Sequence, residues 1–175
     1  MRTLMLIRHA KATRSDGPMR DQDRPLAPRG LSDAPKIGAY MSRHGLLPDR
    51  VVVSPAKRTR ETWALLAPAF GKGLKATFDE RLYDASPQTV FEIIQENATG
   101  CPALLIIGHK PSMHRLGTEL IAASDLDNRE KLRENLPTSG LVAIAFPFDD
   151  WTRLHAQAGR LTHFVTPKLI AADAD

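Results

Sequence analysis

One cysteine, Cys101, stands in the whole sequence, so no internal disulfide can staple the chain, and such usage fits a reducing cytoplasm. Cys101 precedes an apolar, strand-like run and is expected to be a buried, inert thiol. Long apolar runs are also missing. The stretch from Leu4 to Ile7 is far shorter than the core of a secretion signal. No segment approaches the length of a membrane span. There is no internal repeat, no low-complexity tract and no Lys/Arg run resembling a nucleic-acid tail. The 24 basic and 20 acidic residues leave a formal net charge of +4. That surplus is spread along the chain and favours anionic ligands only weakly. What remains is an ordinary globular composition, 42% hydrophobic and 25% charged in 175 residues. This is enough for one well-cored domain over residues 1–175 and too little for two.

Apolar runs of strand length alternate with helical patterns. Thr3-Leu4-Met5-Leu6-Ile7 is apolar nearly throughout, as expected of a strand covered on both faces. Residues 12–30, rich in Arg, Asp, Pro and Gly, read as a long loop, and loops of that length tend to be functional. A helix should follow with Ala34, Ile37, Tyr40 and Met41 on one face, Pro35 in its first turn and Gly45 at its end. Val51-Val52-Val53 is a second strand. Ser54-Pro55 then reads as an N-cap with Pro at the first helical position, opening a helix that carries Trp63, Leu66 and Phe70. Residues 76–78 suggest a third strand and residues 89–97 a helix packing Val90, Ile93 and Ile94. Leu104-Leu105-Ile106-Ile107 is the clearest strand. Pro111 opens a helix with Met113, Leu116, Leu120 and Ile121 as its stripe. After a charged stretch over 125–135, residues 141–146 and 161–165 read as strands, antiparallel neighbours across a turn-rich connection. The alternation implies an α/β fold, a three-layer α/β/α sandwich around a mainly parallel mixed sheet. In such sheets ligands gather beyond the carboxyl ends of the strands.

The residues directly after each confident strand are the informative feature. The first strand runs into Arg8-His9, the second into Ser54-Pro55 with Arg58 one turn along, the fourth into Gly108-His109. In a parallel sheet these residues emerge at one edge, where two arginines and two histidines make a cationic cup the size of a phosphate. Arginine offers a planar fork of donors and a permanent charge. An imidazole attacks phosphorus when one nitrogen is unprotonated and the other is held by a hydrogen bond. Preplaced cations stabilise the charge that spreads over the phosphoryl oxygens. The amides opening the helix after Pro55 would add a positive pole. Singly, each residue has a plainer reading: a satisfied histidine, a surface arginine, a helix cap. Their joint placement after three strands is what coincidence explains poorly. Lys11 reads equally as a phosphate contact or a solvated lysine. His44, His114, His155 and His163 lack such a setting and read as structural or solvated.

These residues carry a family resemblance. Leu6-Ile7-Arg8-His9-Ala10 resembles the signature of the histidine phosphatase superfamily, which includes the cofactor-dependent phosphoglycerate mutases. The stretch from Ser54 through Arg58 to Thr62 resembles its second motif, and Gly108-His109-Lys110-Pro111-Ser112 its third. The chain is most similar to the short SixA-type phosphohistidine phosphatases, also through Asp23-Arg24-Pro25-Leu26, Arg29-Gly30, Leu82-Tyr83-Asp84-Ala85-Ser86 and a closing Gly159-Arg160-Leu161. The resemblance implies a phosphoglycerate mutase-like fold, His9 as the phosphorylated nucleophile, and Arg8, Arg58 and His109 as the phosphate-binding shell. Glu80 lies where the mutases carry their leaving-group acid, with Asp84 as the alternative and a surface role equally open. A phosphohistidine substrate needs less help from an acid, because imidazole leaves more readily than an alkoxide.

The implied enzyme is a phosphatase that needs no metal or cofactor, since no carboxylate cluster is visible and the cationic shell replaces magnesium. A short chain has few insertions to cover the cup, which favours a phosphohistidine on a signalling protein such as a histidine phosphotransfer domain. Hydrolysis of small phosphate esters is the rival activity, and a non-catalytic phosphoprotein-binding module is a third reading. A mutase, which must retain a bisphosphate, calls for a more enclosed pocket. Arg8 and Arg58 are expected to disfavour a charged His9.

Overall fold

The structure is a computed structural model and describes residues 1–15, 17–97, 100–123 and 126–173. Seven strands form one sheet: β1 (Arg2–Arg8), β2 (Arg50–Val53), β3 (Ala76–Phe78), β4 (Ala103–Gly108), β5 (Ile121–Ala123), β6 (Leu141–Phe146) and β7 (Gly159–Val165). Their order is β3-β2-β4-β1-β6-β7-β5. The pairings β3·β2, β2·β4, β4·β1 and β5·β7 are parallel, whereas β6 is antiparallel to both β1 and β7. Among the described strands β6 alone runs against the others, so its first residue lies at the edge where the others end.

Among the described residues, six helices cover the sheet: α1 (Pro28–Arg43), α2 (Lys57–Leu66), α3 (Pro87–Glu96), α4 (Ser112–Leu120), α5 (Leu126–Glu134) and α6 (Pro167–Asp173). Strand side chains alternate between faces, and the core divides accordingly. Leu4, Leu6, Val52, Leu104 and Ile106 pack with Ile93 and Ile94 of α3 and Leu116 of α4. Met5, Ile7, Val51, Leu105 and Ile107 pack with Ile37 and Met41 of α1 and Trp63 and Leu66 of α2. Both faces are buried, which is why the central strands carry the unbroken apolar runs Leu4–Ile7, Val51–Val53 and Leu104–Ile107. The three-layer, mainly parallel architecture is the one expected. No helix among the described residues is long and apolar enough to cross a membrane. Cys101 is free and fully buried, and burial pushes its thiol above the usual range.

Several local expectations are corrected. The first helix begins at Pro28, inside the expected loop, with Pro at its N-terminal position. Pro35 therefore sits mid-helix rather than in the first turn. The carbonyl it deprives, on Leu31, belongs to a residue on the exposed face, where water can satisfy it. Ser54 is not an N-cap: α2 starts at Lys57 behind Ala56, whose side chain makes no cap bond. The helix carrying Trp63 ends at Leu66 and tightens into a 3-10 turn over Ala67–Phe70, which holds Phe70. Ile121 leaves the helical stripe and starts β5, an edge strand. Asp125, in the charged stretch, lies outside the described residues.

Candidate active site

Register explains why distant residues meet. β1 and β4 pair with Arg8 opposite Gly108, so His9 and His109 leave two hydrogen-bonded strands side by side. Their ring centroids are 5.4 Å apart, close to the spacing of neighbouring strands. The His9 amide continues the ladder by donating to the Gly108 carbonyl at 3.0 Å, and the Ser54 amide donates to Ile107 at 3.0 Å. β2 flanks β4 on its other side, which puts Ser54 next to His109. Arg58 comes from the first turn of α2. Thr62 of the same helix accepts the Ala10 amide at 3.0 Å, tying the exit of β1 to α2.

His9, Arg58 and His109 are buried, at 9, 6 and 8% exposure. The His9 Nδ1 lies 2.7 Å from the Ala10 carbonyl, which can only accept. Nδ1 therefore carries the proton, and Nε2 presents a lone pair. Burial lowers the His9 pKa to about 4, and Arg58, Arg8 and Arg24 reinforce this against the Ala10 hydrogen bond. The ring is neutral at physiological pH. His109 falls to about 3, through burial first and then through Arg58 and His9. Its Nε2 meets the Ser54 hydroxyl at 2.7 Å. Among the described residues, His109 Nδ1, Arg8 Nε and Arg58 Nε are buried without a hydrogen-bond partner. Unpartnered buried donors on three converging side chains are costly unless a ligand satisfies them. Arg8 donates from Nη1 to the Leu136 carbonyl at 3.1 Å.

The four residues expected to form the cup are thus brought together. Glu80 opens a 3-10 turn after β3 and is exposed, with no side-chain hydrogen bond or ion pair among the described residues. Asp84 is likewise exposed, on left-handed backbone with φ of 53°. Lys11 is exposed, and its backbone carbonyl holds the Ala27 amide at 2.8 Å.

The carboxylate that does reach the cup is Asp21, from a 3-10 turn inside the 12–27 segment. Arg58 donates from Nη2 to Asp21 Oδ2 at 3.1 Å and from Nη1 to the Asp21 carbonyl at 2.8 Å. The Tyr83 hydroxyl donates to the same Oδ2, and Arg24 Nε donates to Oδ1 at 3.0 Å. The Tyr83 hydrogen bond and then the arginines hold the Asp21 pKa at about 2. The Tyr83 ring stands edge-on to His109, with centroids 5.6 Å apart, and lies 5.9 Å from the Arg58 guanidinium carbon. Ser139 also belongs here. Its amide donates to the Arg8 and His9 carbonyls, both at 3.1 Å, while its buried hydroxyl has no partner among the described residues.

Asp21, Ser54 and Ser139 were missed as site residues by sequence reasoning. Ser54 was detectable, since it directly follows a strand at the edge already singled out. Ser139 precedes β6, and only the reversed direction of that strand brings it to this edge. Nothing local marks Asp21, one of several acids in a charged loop.

The model of the histidine phosphatase superfamily (branch 1) matches residues 4–116, a span containing Arg8, His9, Arg58 and His109. The chain belongs to this superfamily. An uncharacterised Mycobacterium tuberculosis protein, Rv1276c, is 35% identical over 93% of this chain and 100% of its own length. Among solved structures, a candidate phosphohistidine phosphatase SixA from Agrobacterium tumefaciens superposes with a TM-score of 0.79 at 27% identity, over 95% of this chain and 98% of that one. A second, from Nakamurella multipartitia, gives 0.80 at 29% identity over 95 and 96%. These likenesses place the sheet, its order and its covering helices in the phosphoglycerate mutase-like fold that histidine phosphatases share.

Proposed function

We propose that this chain is a phosphohistidine phosphatase that works through a phospho-His9 intermediate without a metal. The observation that carries the reading is His9 itself: a buried neutral imidazole whose Nδ1 proton is fixed on Ala10, leaving Nε2 as the free nucleophilic atom. The phosphoryl group sits between Arg8, Arg58 and His109, whose unpartnered buried nitrogens supply donors. Ser54 donates its hydroxyl proton to His109 Nε2, which keeps the ring proton on Nδ1 for phosphate. His9 Nε2 attacks in line, the N–P bond to His9 forms, and the bond to the leaving group breaks with its electron pair going to the leaving atom. Water then attacks phospho-His9. The N–P electrons return to Nε2, and both hydrogens of water leave with the phosphate. Fixed cations neutralise the spreading oxygen charge, the task a magnesium ion performs in many other phosphoryl-transfer sites.

No carboxylate of the site is suited to protonating an alkoxide. Asp21 is held ionised at about 2, and the Glu80 side chain makes no hydrogen bond or ion pair with the cup among the described residues. That favours a leaving group able to depart without an acid, such as imidazole on a phosphotransfer protein, over a small phosphate ester. The test is hydrolysis in the presence of a chelator, comparing a phosphohistidine-bearing phosphotransfer domain with small phosphate esters, followed by acid-stable versus base-stable label analysis. We expect strong preference for the phosphohistidine and a base-stable, acid-labile label on the wild-type chain that His9→Ala abolishes. Near-normal turnover by His9→Ala, or preference for an ester, would overturn the reading.

A further inference from the structure

The leaving group of a phosphohistidine has an unusual requirement that one residue of this site meets. In-line attack from His9 places the departing imidazole on the far side of phosphorus, toward the mouth of the cup. His9, Arg58 and His109 form the buried floor. Asp21 stands at the rim, its side chain half exposed, and Tyr83 beside it is partly exposed too. A carboxylate has about four acceptor positions. Oδ2 receives Arg58 and Tyr83, whereas Oδ1 receives, among the described residues, Arg24 alone, so one acceptor position on Oδ1 is open to a ligand.

Resting on the phosphohistidine reading above, the geometry points to Asp21 as the residue that selects phosphohistidine over phosphate esters, by accepting the N–H of the substrate ring nitrogen that does not carry phosphorus. A phosphoryl imidazole protonated on that remote nitrogen is the reactive form. When His9 Nε2 forms its bond to phosphorus, the substrate N–P electron pair returns to the substrate nitrogen. The remote N–H stays where it is, and a neutral imidazole leaves. No proton has to be delivered. The two rings between which phosphorus passes are then held alike, each by an oxygen accepting the N–H remote from phosphorus: the Ala10 carbonyl for His9 and the Asp21 carboxylate for the substrate.

An imidazole titrates near 6.5 when free, and a carboxylate against it raises that value. Asp21 thereby keeps the bound substrate protonated through neutral pH. The charged and titratable groups facing Asp21 are Arg58 from α2, Arg24 from its own turn, Tyr83 from the turn after β3 and His109 at the exit of β4, which is held neutral by burial. Lys57 and Arg60 of α2 act on the neighbouring Asp23, and Asp84 acts on Tyr83. The cations among them oppose a protonated ring, so the carboxylate is what makes room for it. An ester leaving group has no such N–H to offer and gains nothing from Asp21.

The experiment compares the full chain with Asp21→Asn on phosphoimidazole and on phenyl phosphate, reading kcat/KM for each and the pH profile of kcat, which reports the bound state. We expect the phosphoimidazole-to-phenyl phosphate ratio of kcat/KM to fall at least about tenfold in Asp21→Asn. The alkaline limb of kcat for phosphoimidazole should move down by about one pH unit. Asp21→Glu, which keeps the charge, should restore most of the ratio. Equal loss on both substrates with an unmoved limb would show that Asp21 only holds Arg58, and would overturn the inference. Preference for phosphoimidazole that survives unchanged in Asp21→Asn would overturn it while leaving the phosphohistidine reading standing. A wild-type chain that prefers phenyl phosphate would overturn that reading, and this inference with it.

Discussion

At the scale of single residues, the site depends on fixing two tautomers with neutral partners rather than with buried carboxylates. The Ala10 carbonyl fixes His9, and Ser54 holds His109 Nε2 at 2.7 Å. A carbonyl or hydroxyl orients an imidazole without drawing it strongly toward the charged form, whereas a carboxylate would raise its pKa. That choice keeps both rings neutral beside two arginines. Ser54→Ala removes the hydroxyl from a fully buried position and leaves His109 free to turn or to take the wrong tautomer. Since one hydrogen bond is worth about 0.5–1.5 kcal/mol net, kcat/KM should fall about two- to tenfold. Inhibition by inorganic phosphate should weaken in parallel, and the unfolding free energy should fall by about 1–3 kcal/mol as a buried ring nitrogen loses its partner. Unchanged phosphate inhibition would show that Ser54 does not position His109. The residues at this scale were legible where a strand delivers them directly, as with His9, Arg58 and His109. Asp21 was not, because it meets Arg58 across 37 residues of chain and its partners become known only once the 12–27 segment is folded over the cup.

At the scale of elements, that segment is a flap pinned at its base. Ala12 and Leu26 form an antiparallel bridge, the Thr13 amide donates to Pro25, and the Leu26 amide donates to Glu61 of α2 at 2.9 Å. The base also abuts the start of α1. A Cβ on Gly30 would come within 2.2 Å of the Lys11 carbonyl oxygen, which is backbone and has no rotamer by which to retreat. Gly30→Ala should therefore push the flap and α1 apart, costing about 1–3 kcal/mol by the usual penalty of overpacking. Denaturant unfolding measures that cost. The same variant should raise KM, because Asp21 rides on this flap. A fully stable Gly30→Ala with unchanged KM would mean that flap and helix adjust independently. This packing also accounts for what periodicity did not reveal. The first helix starts early because Pro28 and Gly30 let its first turn sit on Lys11, a tertiary reason invisible in the polar composition of residues 12–30. β5 escaped notice because Ile121 prolongs the apolar stripe of α4, and only pairing with β7 turns it into a strand. β1, β2 and β4 were legible because strands buried on both faces show unbroken apolar runs. β6 and β7 were legible as an antiparallel pair because a turn-rich connection over residues 147–158, with no α-helix in it, joins them.

At the scale of the whole molecule, the cup makes folding itself sensitive to acid. Folding carries His9 from an ordinary value near 6.5 to about 4, and His109 to about 3. Below 6.5 the unfolded chain therefore binds protons that the folded chain refuses, and stability rises with pH across this window. Acidification from pH 7 to pH 4 should lower the unfolding free energy. A tenfold difference in proton affinity between the folded and unfolded chain corresponds to about 1.4 kcal/mol. Both rings act in the same direction and each opposes protonation of the other in the folded cup, so the combined loss should be on the order of several kcal/mol. Carboxylates act lower down. Asp21, depressed to about 2, contributes stability that is complete above its unfolded value near 3.8 and lost as pH falls through 2, so it does not confuse the histidine window. His163, lowered by burial and by His44, adds a smaller contribution of the same sign. Denaturant melts at pH 7, 6, 5 and 4 on the wild type and on His109→Gln separate the sources. The wild type should lose stability progressively, and His109→Gln should lose distinctly less between pH 6 and 4. Equal slopes would mean that His109 titrates freely in the folded protein, and that the unpartnered nitrogen beside Arg58 is not held neutral for phosphate.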